Sequence, residues 1–230
     1  MNTIERLFAE ALNRFRFSTA ASLPDIESTR AALKTVVKDA KDNYAAHKST
    51  LTAQHAGNSH VCVREPGGEA TIRFDGELLA EPDGWQDALQ ADSIALVFGR
   101  ATGGCGSVAY QMIDELQASE ARVTATILES AASAHALLFL AAEERVMKPG
   151  SRIMFHGPCL VEVGNLQTFR KAVTALEEMA VKDVRWICER TGLPTSVVRD
   201  WICGGEDFWF SDAEAACLGF VNGARPTPAG

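Results

Sequence analysis

The sequence predicts an α/β fold: a mainly parallel sheet with crossover helices. Three observations predict it. From about residue 60 onward, short apolar runs alternate with helical stretches, the pattern of a parallel sheet. Small-residue turns fall just beyond the ends of those runs, where such a sheet presents its working edge. Hydrophobic residues make up 47% of a 230-residue chain, enough for one packed α/β domain with an appendage.

Ile4, Leu7, Phe8, Leu12 and Phe15 recur at helical spacing over residues 3–17. Ser22-Leu23-Pro24-Asp25 reads as the start of a second helix, with Pro24 in its first turn. Leu33, Val37, Ala40 and Tyr44 give that helix its stripe. Residues 49–59 are polar and unpatterned. Residues 1–59 are therefore expected to form a helical hairpin arm and linker, residues 60–223 the body, and residues 224–230 a flexible tail. A hairpin of this size is too small to be stable alone, so it is expected to pack on the body or on another subunit.

In the body, Val61-Cys62-Val63 and Ala70–Phe74 flank Glu65-Pro66-Gly67-Gly68 as a β-hairpin. Ser93–Phe98 reads as a buried strand and Ser107–Leu116 as a helix after a glycine turn. Val123–Leu128 is the next strand and Ser133–Ala142 the next helix. Arg152–Phe155 is a strand, Leu166–Arg190 a long amphipathic helix, and Pro194–Ile202 a short one.

A net charge of −8 argues against nucleic acid and an anionic membrane surface as partners. The first sixty residues hold eight basic and six acidic side chains, a mildly basic arm on an acidic body. No apolar run reaches the ~20 residues of a membrane span, and the N-terminus lacks a signal-peptide stretch. The six cysteines (Cys62, Cys105, Cys159, Cys188, Cys203, Cys217) form no C-x-x-C pair and read as reduced thiols. His156 and Cys159 have no second ligand pair, so no metal site is expected. A reducing cytoplasmic location is the expectation.

Three turns carry candidate chemistry. Ala101-Thr102-Gly103-Gly104-Cys105-Gly106 follows a strand, and its paired glycines let backbone amides approach a substrate. Gly103 and Gly104 are the candidate substrate rail, although a tight turn alone would explain them. Glu129-Ser130-Ala131-Ala132-Ser133 places Ser133 at a strand-to-helix bend, where exposure and N–H donors suit a nucleophile and an N-cap serine is the plainer reading. Ser130 competes as nucleophile. His135 is a poor base for Ser133, because adjacent helical side chains diverge by about 100°. His156 ends an apolar strand, as a base or as a structural hydrogen-bonder. His47, His55 and His60 fall in or beside the arm and linker.

In order and spacing, these pieces resemble the ClpP family of serine peptidases, within the crotonase-like fold superfamily, over roughly residues 93–222. Thr102-Gly103-Gly104, Met112-Ile113-Asp114, Ser130-Ala131-Ala132-Ser133, Phe155-His156-Gly157-Pro158 and Asp207-Phe208-Trp209-Phe210-Ser211 stand where the family's motifs stand. The resemblance implies a spiral of β-β-α units. It implies Ser133 as nucleophile, His156 as general base and then acid, and Asp207 as orienting acid. Gly104 and Ala134 would supply the oxyanion N–H groups. No cofactor is implied. The implied partners are a peptide or unfolded-protein substrate, further copies of the chain in a homo-oligomer such as a ring, and a AAA+ unfoldase.

The chain departs from the family at Thr102, at Glu129 and at Glu206, and keeps only Gly164 where a glycine pair is usual after the histidine. The last two departures lie in elements that stack rings, and the helical arm replaces the family's unfoldase-facing hairpin. The leading expectation is a serine endopeptidase. A catalytically silent subunit with an assembly or regulatory role is the alternative. Further off are a crotonase-type acyl-CoA enzyme and a Ser/Lys dyad using Lys148.

Overall fold

The computed structural model describes residues 60–64 and 68–223; the expected arm, linker and tail lie outside them. Alternating buried positions build β2 (Glu69–Leu78) and β3 (Ser93–Gly104), which pair in parallel from Glu69↔Ser93 to Leu78↔Gly104. β1 (His60–Arg64) adds to β2 antiparallel, the expected hairpin. β4 (Arg122–Ala132) runs parallel to β3 and gives its far end to β6 (Arg152–Phe155). β5 (Glu144–Met147) also pairs with β4, and β7 (Phe208–Ser211) closes the sheet antiparallel to β6. The seven strands thus run β1-β2-β3-β4-β6-β7 with β5 beside β4, a mostly parallel α/β sheet.

Six helices accompany them among the described residues: α1 (Trp85–Ala88), α2 (Gly106–Ala118), α3 (Ala134–Phe139), α4 (Leu166–Thr191), α5 (Thr195–Cys203) and α6 (Asp212–Cys217). Asn165 caps α4 by accepting from the N–H groups of Gln167 and Thr168, and Gly192 closes it in the left-handed conformation. Ser211 and Glu214 form a capping box on α6.

The glycine segment corrects one expectation. It does not turn after Phe98; β3 runs on through Gly104, because Glu77 and Leu78 of β2 continue the ladder beside Gly103 and Gly104. β5 and α1 were not expected. The helix opening at Ser133 is also shorter than expected, ending at Phe139.

α3 is almost wholly buried, with Ala136, Leu138 and Phe139 at 0% exposure. Its C-terminal end meets two guanidinium groups. Arg190 donates to the carbonyls of Leu140 and Ala142, and Arg145 donates to those of Ala142 and Phe220. Cations there complement the helix dipole and satisfy carbonyls that have no partner within the helix. Burial, with Arg190 beside it, pushes Arg145 down to about 10. Phe155, Trp201, Phe210 and Phe220 pack ring on ring below β6 and β7.

Candidate active site

β4 ends in Ala131-Ala132, buried against β6, and the chain must turn at once to start α3. The turning residue is Ser133, at φ 55° and ψ −121°, the one non-glycine positive φ among the described residues. Its N–H donates to Met154 O at 2.9 Å, and its carbonyl accepts from the N–H of Leu137. Ser133 occupies the N-cap position, yet its side chain makes no capping bond. Oγ lies instead 2.8 Å from Nε2 of His156. The plain N-cap reading therefore fails, and the strained backbone serves to present the hydroxyl to the imidazole.

His156 follows β6 directly. Ser133 and His156 line one cavity with Gly104, Ala134, Leu137 and Asp183. Gly104 is exposed at φ 140°, and a side chain there would run into the backbone of Leu78. Gly103 sits differently: it is buried, and its N–H donates to Nδ1 of His135 at 3.0 Å. Its N–H is thus committed inside the protein. His135 is 0% exposed and edge-on to Phe74 and Phe98, so it is no base for Ser133.

Asp207 immediately precedes β7, and His156 immediately follows β6. The last pair of that ladder is Phe155↔Phe208, so the two residues are neighbours at its end. Asp207 is exposed, and no hydrogen bond joins it to His156. The acid inside the cavity is Asp183 of α4, which sequence reasoning did not single out. It is 4% exposed, and Oδ1 accepts from the Tyr110 hydroxyl at 2.7 Å. Burial pushes its carboxyl up to about 6, against the opposing pull of Tyr110, His156 and Lys182. Burial and the Asp183 charge raise the Tyr110 phenol as well.

Lys148 is exposed and outside the cavity, so it forms no dyad with Ser133. Glu129 is exposed and faces Arg100 at 3.4 Å. Among the described residues no cluster of three His, Cys, Asp or Glu side chains could hold a metal, and no helix is long and apolar enough to cross a membrane.

A comparison with curated proteins returns no match. Residues 88–225, from α1 through the end of the body, match the family described as Clp protease. With its mostly parallel α/β sheet and a serine–histidine pair at the strand ends, the chain belongs to the Clp protease family.

Proposed function

We propose that the chain is a serine endopeptidase that cleaves peptides or unfolded protein segments through an acyl-enzyme. The observation that carries this reading is the 2.8 Å contact between Ser133 Oγ and His156 Nε2 at a strained strand-to-helix bend. In the first half-reaction His156 takes the Oγ proton as Oγ bonds to the scissile carbonyl carbon. The N–H groups of Gly104 and Ala134 hold the oxyanion. His156 then gives its proton to the leaving amine as the peptide bond breaks. Water, deprotonated by His156, hydrolyses the ester and returns Ser133. A carboxylate must balance the imidazolium; the family resemblance gives that role to Asp207.

The same reading includes a homo-oligomer. Leu160, Val161, Leu166, Phe169, Val173 and Val181 are exposed apolar residues within one stretch around α4, the kind of surface a second copy would cover. Delivery of unfolded polypeptide would fall to a AAA+ unfoldase, in keeping with the family.

The test is a fluorophosphonate, read by intact mass on wild type and Ser133→Ala, followed by turnover of a quenched peptide. One adduct on wild type and none on the variant supports the reading. The exposed position of Asp207 favours a second reading, a catalytically silent subunit, and a folded wild type that takes no adduct would replace the first reading with it.

A further inference from the structure

The cavity that holds Ser133 and His156 has apolar walls from Leu137, Met179 and Ile202 and one carboxylate, Asp183. Helix geometry and two hydrogen bonds fix where that carboxylate stands. Leu137 lies one turn of α3 beyond Ser133, and its carbonyl accepts from Trp186 Nε1 at 3.0 Å. Asp183 precedes Trp186 by three residues on α4, so the two share a face about 4.5 Å apart along the axis. From α2, which follows Gly104 after Cys105, Tyr110 donates its hydroxyl to Oδ1 at 2.7 Å. The carboxylate is thus held between the helix that opens at Ser133 and the helix that follows Gly104.

Asp183 is 4% exposed, and among the described residues it has no ion pair. The ammonium of neighbouring Lys182 lies over the Tyr110 ring, 3.7 Å from its centre. Oδ2 has no hydrogen bond among the described residues, yet it is not one of the side-chain atoms sealed from solvent. A buried, unpaired carboxylate costs desolvation energy, and a cation entering the cavity would offset that cost.

We infer that Asp183 is the specificity-determining acid of this cavity and that the chain cleaves after residues with a basic side chain, lysine or arginine. The inference rests on the endopeptidase reading and names its substrate class. When Ser133 Oγ bonds to the scissile carbonyl carbon, the side chain on the adjoining α-carbon enters the space beside Ser133. Its methylene groups run along Leu137, Met179 and Ile202, and its cationic end meets Oδ2 while Oδ1 stays with Tyr110. A leucine side chain would suit the walls but leave the carboxylate unpaired, and an acidic one would be repelled. Asp183 takes no part in the proton transfers. A purely structural role, accepting from Tyr110, would be met equally by a neutral amide, and this separates the two accounts.

The experiment uses the full chain at pH 8, where the Asp183 carboxyl, pushed up to about 6 by burial, is ionised. Two peptidyl diphenyl phosphonates, differing only in a lysine-type or leucine-type reactive residue, are reacted with wild type, Asp183→Asn and Asp183→Glu, and the adducts are read by intact mass. A plain fluorophosphonate on wild type and Ser133→Ala tests the endopeptidase reading separately. Wild type is expected to take the lysine-type probe at least about tenfold faster than the leucine-type one, and Asp183→Asn to lower that ratio at least about tenfold. Asp183→Glu is expected to keep the basic preference. Because each ratio is taken within one chain, a general loss of reactivity cancels; should Asp183→Asn fail to fold, the wild-type ratio decides. A wild type that reacts with the fluorophosphonate but takes the leucine-type probe at least as fast, or takes neither probe, overturns the inference and leaves the endopeptidase reading standing. An Asp183→Asn ratio within about threefold of wild type does the same. A wild type that takes no fluorophosphonate removes that reading and the inference with it.

Discussion

Gly103 donates its backbone N–H to Nδ1 of His135 at 3.0 Å, tying the end of β3 to the residue two past the nucleophile. An accepting Nδ1 requires a neutral imidazole with its proton on Nε2. His135→Phe keeps a ring against Phe74 and Phe98 but leaves the buried N–H of Gly103 without its acceptor, at a cost of about 1–3 kcal/mol. We expect kcat to fall about tenfold to a hundredfold with KM little changed, because the loosened strand end carries Gly104, the proposed oxyanion donor. Steady-state peptide kinetics and a urea melt test both parts.

The space at Gly103 is closed by Ser133. A Cβ there would stand 2.7 Å from Cβ of Ser133, at a φ of 102°. Gly103→Ala should therefore displace Ser133 and abolish labelling. Gly150 has a φ of 84° but no atom within 4 Å of a would-be Cβ. Gly150→Ala is expected to cost only the strain of a Cβ in left-handed backbone, about 1 kcal/mol, and to label at the wild-type rate. Equal labelling in the two variants would sink the crowding argument.

Ser133 holds φ at 55° for the sake of its hydroxyl. Ser133→Ala loses the hydroxyl and keeps the strain; Ser133→Gly loses both. Both variants are expected to be inert to the fluorophosphonate, with the glycine variant about 1 kcal/mol more stable than the alanine variant in parallel denaturant melts.

Asp183 sets a pH dependence of stability. Its carboxyl ionises at about 6 in the fold, against an ordinary value of 3.8. The folded chain thus binds this proton more tightly than the unfolded chain does. Stability from this group is greatest below about pH 4, is lost as pH rises toward 6, and is not regained above it. The difference amounts to about 3 kcal/mol. Asp183→Asn, neutral at every pH, is expected to match wild type near pH 4 and to exceed it by up to that amount at pH 7.5. Melts at pH 4, 5.5 and 7.5 would show a widening gap; a constant gap refutes it.

Much of the architecture is legible in the residues. The strand–helix alternation gives the parallel sheet, and Arg152–Phe155 has the bounds expected of it. What escaped has physical reasons. Paired glycines read locally as a turn, yet Gly103 and Gly104 stay in the ladder at positive φ because β2 supplies partners that no local pattern reveals. Glu144–Met147 is a four-residue strand with two charges, too short for a period to register. At the site, the serine and the histidine are marked by the turns around them. Asp183 is one acid among several on α4, and its only signal is its place four residues before Ile187, on the helix's apolar face. Burial of a single charged residue is a tertiary fact, and it is visible only once α2 lays Tyr110 against it.

The arginines at the far end of α3 give the segment around Phe220 a hold on Ser133. Arg145 grips the carbonyl of Phe220 with one nitrogen and that of Ala142 with another, while its backbone N–H donates to the side-chain oxygen of Asn222. Trimming the protein back past Phe220 would strip a buried cation of a ligand and slacken the short helix whose first turn aims Ser133. A cut or insertion at Phe220 is thus a change to Ser133, made from the opposite tip of its helix.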